Sequence, residues 1–236
     1  MYKPFEFKNF SVSDDRCAMK IGTDGVLLGA TVNLDSAESI LDIGTGSGVI
    51  ALMIAQRCNA NIDAVELDKG SALQAAENFK NSQWNNRLTA INTSVQDYVH
   101  DSKKKYDLIA CNPPFFNNSL KSPFNKRKNR AKHNDELSYD DLTISAANLL
   151  NENGSLWVII PDQESFMLES SALETELFLN FELDIFSKEG KAINRKVLKF
   201  TKLKTSKVIE SLTIRNEDHS FTKEYKELTK DFYLNF

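Results

Sequence analysis

The 236-residue chain is expected to fold as an α/β protein, with a mostly parallel sheet, helices on both faces and an antiparallel edge. Three observations point there. Short apolar runs alternate with helical runs from Ser39 to Ile160, the pattern of βαβ units. A glycine-rich turn joins the first of those strands directly to a helix. From Phe181 onward the runs read as strands with little helix between them, which suits a sheet that turns antiparallel at one side.

Taken in order, Phe5 to Val12 alternates aromatic and polar side chains and reads as a hairpin or edge strand. Thr23 or Asp24 is a fitting N-cap for a short helix through Ala30. Ser39 to Ile43 is an apolar strand, and Val49 to Arg57 a helix. Asn61 to Glu66, Leu88 to Asn92 and Tyr106 to Cys111 are strands, with a helix over Lys69 to Gln83 between the first two. Tyr139 to Leu150 reads as a helix capped by Ser138, and Gly154 to Ile160 as a strand. Phe181 to Lys188, Lys196 to Lys204 and Lys207 to Arg215 are strands, and Phe221 to Phe232 closes the chain as a helix. No repeat or linker divides it. One domain spans 1–236, with an N-terminal cap segment (1–35), a core (36–162) and a C-terminal sheet edge and helix (163–236).

Composition excludes more than it selects. Apolar residues at 41% and charged residues at 26% are ordinary for a globular protein, and a net charge of −4 carries no general sign of nucleic-acid binding. Three cysteines and three histidines lack ligand spacing, so no metal is expected and a reduced, cytoplasmic setting is the simplest. No apolar run approaches the roughly 18 residues that span a bilayer, so no membrane association is expected. Nothing in the sequence implies a protein partner, and a monomer is expected.

The most informative stretch is Tyr106 to Phe116, a buried strand running into Asn112-Pro113-Pro114-Phe115. Consecutive prolines fix φ and remove two N–H donors, and Pro113 also pushes Asn112 toward an extended conformation. What remains is a corner of acceptors, the Asn carbonyl and backbone carbonyls, beside an aromatic face. Such a corner suits a flat group bearing an NH2. Upstream, Gly44, Gly46 and Gly48 alternate with Thr45 and Ser47 between a strand and a helix, where backbone can approach a ligand closely. The spacing is G-x-G-x-G, not the dinucleotide pattern, which would need glycine at Val49. Asp42 at that depth would repel a pyrophosphate but can hold an ammonium. Glu66 ends the next strand, where an acid accepts from ribose hydroxyls. Asp97, past the third strand, can accept from an adenine amino group. Singly, each glycine is consistent with a plain turn and each acid with a solvated side chain. In this order they describe a site for S-adenosyl-L-methionine, leaving S-adenosyl-L-homocysteine as product.

The chain resembles the Rossmann-like class I S-adenosylmethionine-dependent methyltransferases over almost its whole length, which implies a seven-stranded sheet. Asn112-Pro113-Pro114-Phe115 is similar to the signature of members that methylate exocyclic or amide nitrogens. More narrowly, the leader from Asp15 to Ala30 resembles that of a bacterial family that methylates N6 of the adenine 3′ of the anticodon in tRNA1(Val). Arg130-Ala131-Lys132-His133 resembles that family's loop after the motif, and Arg195-Lys196-Val197-Leu198 its late strand. The resemblance implies that Gly22 and Thr23 help bind the cofactor's carboxylate end, and that tRNA, through its anticodon loop, is the partner.

RNA contacts are expected where cations concentrate. Residues 117–134 carry six Lys or Arg and no acid, among them Lys126, Arg127, Lys128, Arg130 and Lys132, with His133 beside them. Between Lys188 and Lys207 eight cations, including Arg195 and Lys196, face one acid. Other acceptors for the same chemistry are rRNA guanine N2, DNA adenine and a protein glutamine amide; a non-catalytic RNA-binding scaffold is the alternative of another class. Glutamine methyltransferases carry a sizeable N-terminal helical domain, whereas 38 residues precede Ser39 here. Scaffolds of this fold often lose the glycine turn or the Asn-Pro-Pro corner, and this chain keeps both.

Overall fold

Alternation along each strand decides which side chains face which layer. Ile40, Leu108, Trp157 and Val197 point to one face of the sheet, and their successors Leu41, Ile109, Val158 and Leu198 to the other. All eight are buried, so the strands read as continuous apolar runs, as strands covered on both faces must.

The computed structural model describes residues 2–114 and 137–235. In chain order the strands are β1 (Phe5–Glu6), β2 (Ser11–Val12), β3 (Ser39–Ile43), β4 (Asn61–Glu66), β5 (Leu88–Asn92), β6 (Tyr106–Cys111), β7 (Leu150–Pro161), β8 (Phe178–Phe186), β9 (Ile193–Thr201) and β10 (Val208–Thr213). The helices are α1 (Thr23–Thr31), α2 (Val49–Arg57), α3 (Lys69–Lys80), α4 (Val95–Asp101), α5 (Tyr139–Leu149), α6 (Ser165–Glu174) and α7 (Lys223–Thr229). β1 and β2 form an antiparallel hairpin, as their alternation predicts. The main sheet has the order β10-β8-β9-β7-β6-β3-β4-β5. Helices α1, α2, α3 and α7 contribute to the core on one face, and α4, α5 and α6 to the core on the other.

The mostly parallel sheet is as predicted, with two corrections. It has eight strands rather than seven, because β10 adds to β8 in parallel. The antiparallel strand also lies inside the sheet and not at its edge. β8 follows β7 through α6 and runs parallel to it; β9 then folds back into the gap and pairs antiparallel with both. Two helices have no counterpart in the sequence reading. Helix α4 buries only Val95, and α6 buries only Leu168 and Ala172 while Phe166, Met167 and Leu173 are exposed, so neither shows an apolar stripe. The N-cap of α1 is Gly22, with no side-chain bond, and not Thr23 or Asp24.

One carboxylate holds the starting ends of three strands together. Asp107 Oδ2 accepts from the Glu38 and Ser39 amides and from Ser39 Oγ, each at 3.0 Å. Its Oδ1 accepts from Asn151 Nδ2 at 2.6 Å. Partial burial opposes ionisation, but these donors outweigh it and hold the carboxyl below its ordinary value. A depressed carboxylate contributes stability above its unfolded pKa and loses it as pH falls through the folded one. Asp107→Ala is expected to cost about 1.5–3 kcal/mol at neutral pH, as a hydrogen-bonded charge does. Urea midpoints at neutral and acid pH check this: the gap between wild type and variant should narrow in acid, and a gap independent of pH would rule out the ionised clip.

Candidate active site

The site forms where β3, β4 and β6 end together. β3 pairs with β4 and with β6 in parallel, placing Ile43 beside Val65 on one side and Cys111 on the other. The chain leaving β3 enters the glycine turn, and the chain leaving β6 enters Asn112-Pro113-Pro114. Both segments line one cavity of about 1550 Å³.

The turn is fixed by backbone bonds. Gly44 and Thr45 amides donate to Val65 O at 2.9 and 3.2 Å, and the Gly48 amide to Thr45 O at 2.8 Å. Gly48 has φ +84°, and a Cβ there would overlap the Phe79 ring, so no other residue fits without rearrangement. The Gly46 amide donates to Glu66 Oε2 and the Asp68 amide to Glu66 Oε1, both at 2.9 Å. Glu66 is thereby locked at the mouth of β4, with lone pairs left over on the cavity wall.

Asp42 is fully buried behind the turn. Its Oδ2 accepts from Thr45 Oγ1 at 2.6 Å, and its Oδ1 has no hydrogen-bond partner among the described residues. Burial, only partly offset by Thr45, pushes the carboxyl up to about 7, and the nearby charge of Glu66 adds to the rise. Asn112 Oδ1 is the second buried acceptor here without a partner among the described residues. Buried polar atoms without partners are uncommon in folded proteins, and these two lie close together, Asp42 on β3 behind the cavity and Asn112 just past β6 on its wall, with acceptor capacity to spare.

Asn78, on α3, joins two segments of the wall. Its Nδ2 donates to Ser13 O and Ser47 O at 2.8 Å each, while its Oδ1 accepts from the Ser13 amide at 3.0 Å. Asp14, next to Ser13, accepts from the Ile21 amide at 2.9 Å and so sets the leader that ends at Gly22. Gly22 and Thr23 line the cavity at the N-terminus of α1, where helix dipole and open amides favour an anion.

Of the sequence-predicted site residues, Gly22, Thr23, Gly44, Thr45, Gly46, Glu66, Asn112, Pro113, Pro114 and Arg195 line the cavity; Asp42 and Gly48 sit directly behind it. Asp97 does not line it. Its carboxylate accepts from Ser94 Oγ at 2.7 Å in the cap of α4, and the wall there is Thr93 to Gln96. Lys196 is also elsewhere: Glu182 contacts it directly, Asp184 lies at 3.2 Å and Asp162 at 3.4 Å. Burial disfavours its charge, but the hydrogen bonds and charges of Glu182 and Asp184 prevail and hold the ammonium above its ordinary value. Arg195 pairs with Asp24 at 2.9 Å. The cation count between Lys188 and Lys207 missed these acids because they arrive from β8, from α1 and from the turn after β7. Phe115, Lys126, Arg127, Lys128, Arg130, Lys132 and His133 lie outside the described residues. The leader wall from Cys17 to Lys20 and the late wall with Arg215, Phe221 and Tyr225 were not singled out as binding residues. The leader lay within the resembling stretch, while the late residues carry no local signal.

The family described as Methyltransferase small domain matches residues 17–182. The fold is shared with the crystal structure of a predicted O-methyltransferase from Agrobacterium tumefaciens, with TM-score 0.71 over 89% of this chain and 96% of that one at 17% identity. A sheet of this order with a glycine turn at its centre therefore defines a class I methyltransferase fold. Two curated relatives are tRNA1(Val) (adenine(37)-N6)-methyltransferases. That of Trichodesmium erythraeum is 43% identical over 98% of both chains, and that of Phocaeicola vulgatus 47% identical over 98% of this chain and 97% of its own. The chain belongs to the tRNA1(Val) (adenine(37)-N6)-methyltransferase family.

Because the Asp42 carboxyl is raised, its contribution to stability is complete below the ordinary carboxylate pKa and is lost as pH rises through about 7. In ligand-free protein that loss is on the order of 4 kcal/mol, from three pKa units at about 1.4 kcal/mol each. Asp42→Asn should remove it. Thermal midpoints of the two proteins at pH 5 and pH 8 test this, and parallel pH profiles would mean that Asp42 ionises without penalty.

Proposed function

We propose that this chain transfers the methyl group of S-adenosylmethionine to N6 of adenine 37, the base 3′ of the anticodon, in tRNA1(Val). The relatives' shared activity supplies the acceptor. The observation that carries the chemistry is the buried Asn112 Oδ1, without a partner among the described residues, on the same cavity as the glycine turn.

The residues fit the cofactor. Asp42 has an oxygen without a partner among the described residues, open to an ammonium directly or through water. Glu66 is pinned by two amides with acceptor capacity left for ribose hydroxyls. The N-terminus of α1 at Gly22 and Thr23 suits a carboxylate, and the Thr93 to Gln96 wall is assigned to the adenine end in place of Asp97. When bound, the cofactor supplies an electrophilic methyl group on a sulfonium.

An adenine amine is a weak nucleophile because its lone pair is delocalised into the ring. Asn112 Oδ1 and the Pro113 carbonyl accept from its two N–H groups, favouring a pyramidal nitrogen with the lone pair directed at the methyl group. Phe115 is assigned to stack on the base. Positioning and aimed dipoles thus supply the catalysis. No strong base is required, since the alkylated nitrogen is acidic and releases its proton to water. The target leaves its stack at a cost of a few kcal/mol, less in a loop than in a duplex, and stacking on an aromatic ring returns about 1–3 kcal/mol. Phosphate contacts are assigned to the basic segment with Lys126, Arg127, Lys128, Arg130, Lys132 and His133. Lys196, held by three acids, is withdrawn from that set.

Mass spectrometry of tRNA nucleosides and anticodon-loop fragments from cells lacking the protein should show loss of N6-methyladenosine at that position; its persistence would refute the acceptor. Asn112→Ala should lower turnover by about 10²–10³-fold, as loss of an aimed polar group does, while cofactor affinity persists. Titration calorimetry separates the two, since a drop in cofactor affinity would move Asn112 out of its assigned role. Glu66→Ala should instead raise the cofactor dissociation constant, and an unchanged titration would remove Glu66 from the ribose.

A further inference from the structure

The cavity is larger than a site for a single small molecule. Small-molecule sites span about 300–1,000 Å³, against about 1550 Å³ here. The late strands and the turn after them contribute Ile185, Ser187, Asn194 and Ile214 to its wall, together with Arg215 and Phe221.

Arg215 is held there by its own turn. It forms an antiparallel bridge with Phe221, and its carbonyl accepts from the Glu189 amide at 2.9 Å. Within the turn the Asn216 amide donates to Ser220 O at 2.9 Å, and Asp218 accepts from the Ser220 amide at 2.9 Å. The guanidinium lies over the Phe221 ring, 4.0 Å from its centre, and Phe221 stacks on Tyr225 at 5.2 Å. Arg215 Nη1 donates to His219 O at 2.7 Å. The guanidinium plane is therefore fixed before any ligand arrives.

Among the described residues its charge, unlike that of its neighbours, is paired with no acid. Arg195 on the same wall pairs with Asp24, and Lys196 on β9 is surrounded by Glu182, Asp184 and Asp162. Arg215 has no carboxylate within 4 Å among the described residues, and its remaining N–H groups are strong, preorganised donors for an oxyanion. Asn112 and Arg215 line the same cavity, so a strand whose base is held beside Asn112 has Arg215 on the wall around it. We propose that Arg215 binds a backbone phosphodiester of a nucleotide adjacent to the methylated adenine, on a guanidinium oriented by Phe221 and the His219 carbonyl. This rests on the tRNA reading above, which it extends from the reacting base to the strand around it.

The test uses the full chain, an unmodified tRNA1(Val) transcript and a stem–loop of its anticodon arm, with binding measured over a range of KCl concentrations. Arg215→Met keeps an aliphatic stem over Phe221 and removes the charge; Arg215→Lys keeps the charge. Arg215→Met should lower the slope of log K against log salt by about 0.7, the value for one phosphate on a single strand. It should also raise KM for tRNA several-fold with kcat and S-adenosylhomocysteine affinity retained. Arg215→Lys should keep the wild-type slope. A wild-type slope in Arg215→Met, or a loss of cofactor affinity with the RNA slope unchanged, overturns the proposal. If Arg215→Met lacks a cooperative thermal transition, Arg215→Gln serves in the same comparison. A wild-type protein that binds the stem–loop but transfers no methyl group ends the functional reading and leaves this comparison standing. A wild type that methylates adenine while Arg215→Met keeps its full slope ends this proposal alone.

Discussion

The parallel pairing of β3 with β6 is the constraint on which the site depends. That register sets Asp42 beside Ala110 and Ile43 beside Cys111, so the two chains leave the sheet at the same level. One leaves as a glycine turn and the other as a prolyl corner. A register shifted by one residue would turn Asp42 to the opposite face and separate its carboxylate from the Asn112 carbonyl. The buried strands exclude such a shift, because Leu41, Ile43, Ile109 and Cys111 would all exchange cores with Ile40, Leu108 and Ala110. Packing of the sheet and geometry of the site are thus one requirement.

Charge is distributed with the same economy. A mildly acidic chain can meet a polyanion only where its cations are left uncompensated. The late strands spend most of their lysines on acids or rings: Lys196 and Lys207 share Glu182, Lys202 meets Glu152, and Lys199 lies over Trp157. These contacts fasten β8 to β9 and β9 to β7, and leave little field for a ligand. The carboxylates at the centre serve opposite ends. Asp107, surrounded by donors, is held below its ordinary value as a clip, whereas burial of Asp42 outweighs its few donors and pushes its carboxyl up to about 7.

Much of this was legible in the residues. The boundaries of β3, β4, β5 and β6 follow from apolar runs that stop at turn chemistry, and the glycine turn and the Asn-Pro-Pro corner that the sequence singles out line one cavity. What escaped was tertiary. Asp97 follows β5 as the sequence expects, but it sits in the cap of α4, where Ser94 donates to its carboxylate, and the cavity wall there is Thr93 to Gln96. Lys196 looked available because its acids come from other elements. The position of β9 inside the sheet could not be read either, since a hairpin pattern specifies that two strands pair and not on which side the second inserts. Arg215 stands alone in sequence, and only the return of Phe221 onto it gives it a role.

Asn78 carries a kinetic consequence. Its amide closes contacts with Ser13, 65 residues upstream, and with Ser47, 31 residues upstream, so the pocket wall is stitched from segments that meet only after long loops have closed. Closing such loops spends chain entropy before it gains contacts, and structures dominated by distant pairings are slow to complete. Pairing β3 with β6 closes a loop of similar length, so the pocket wall and the middle of the sheet face the same entropic hurdle.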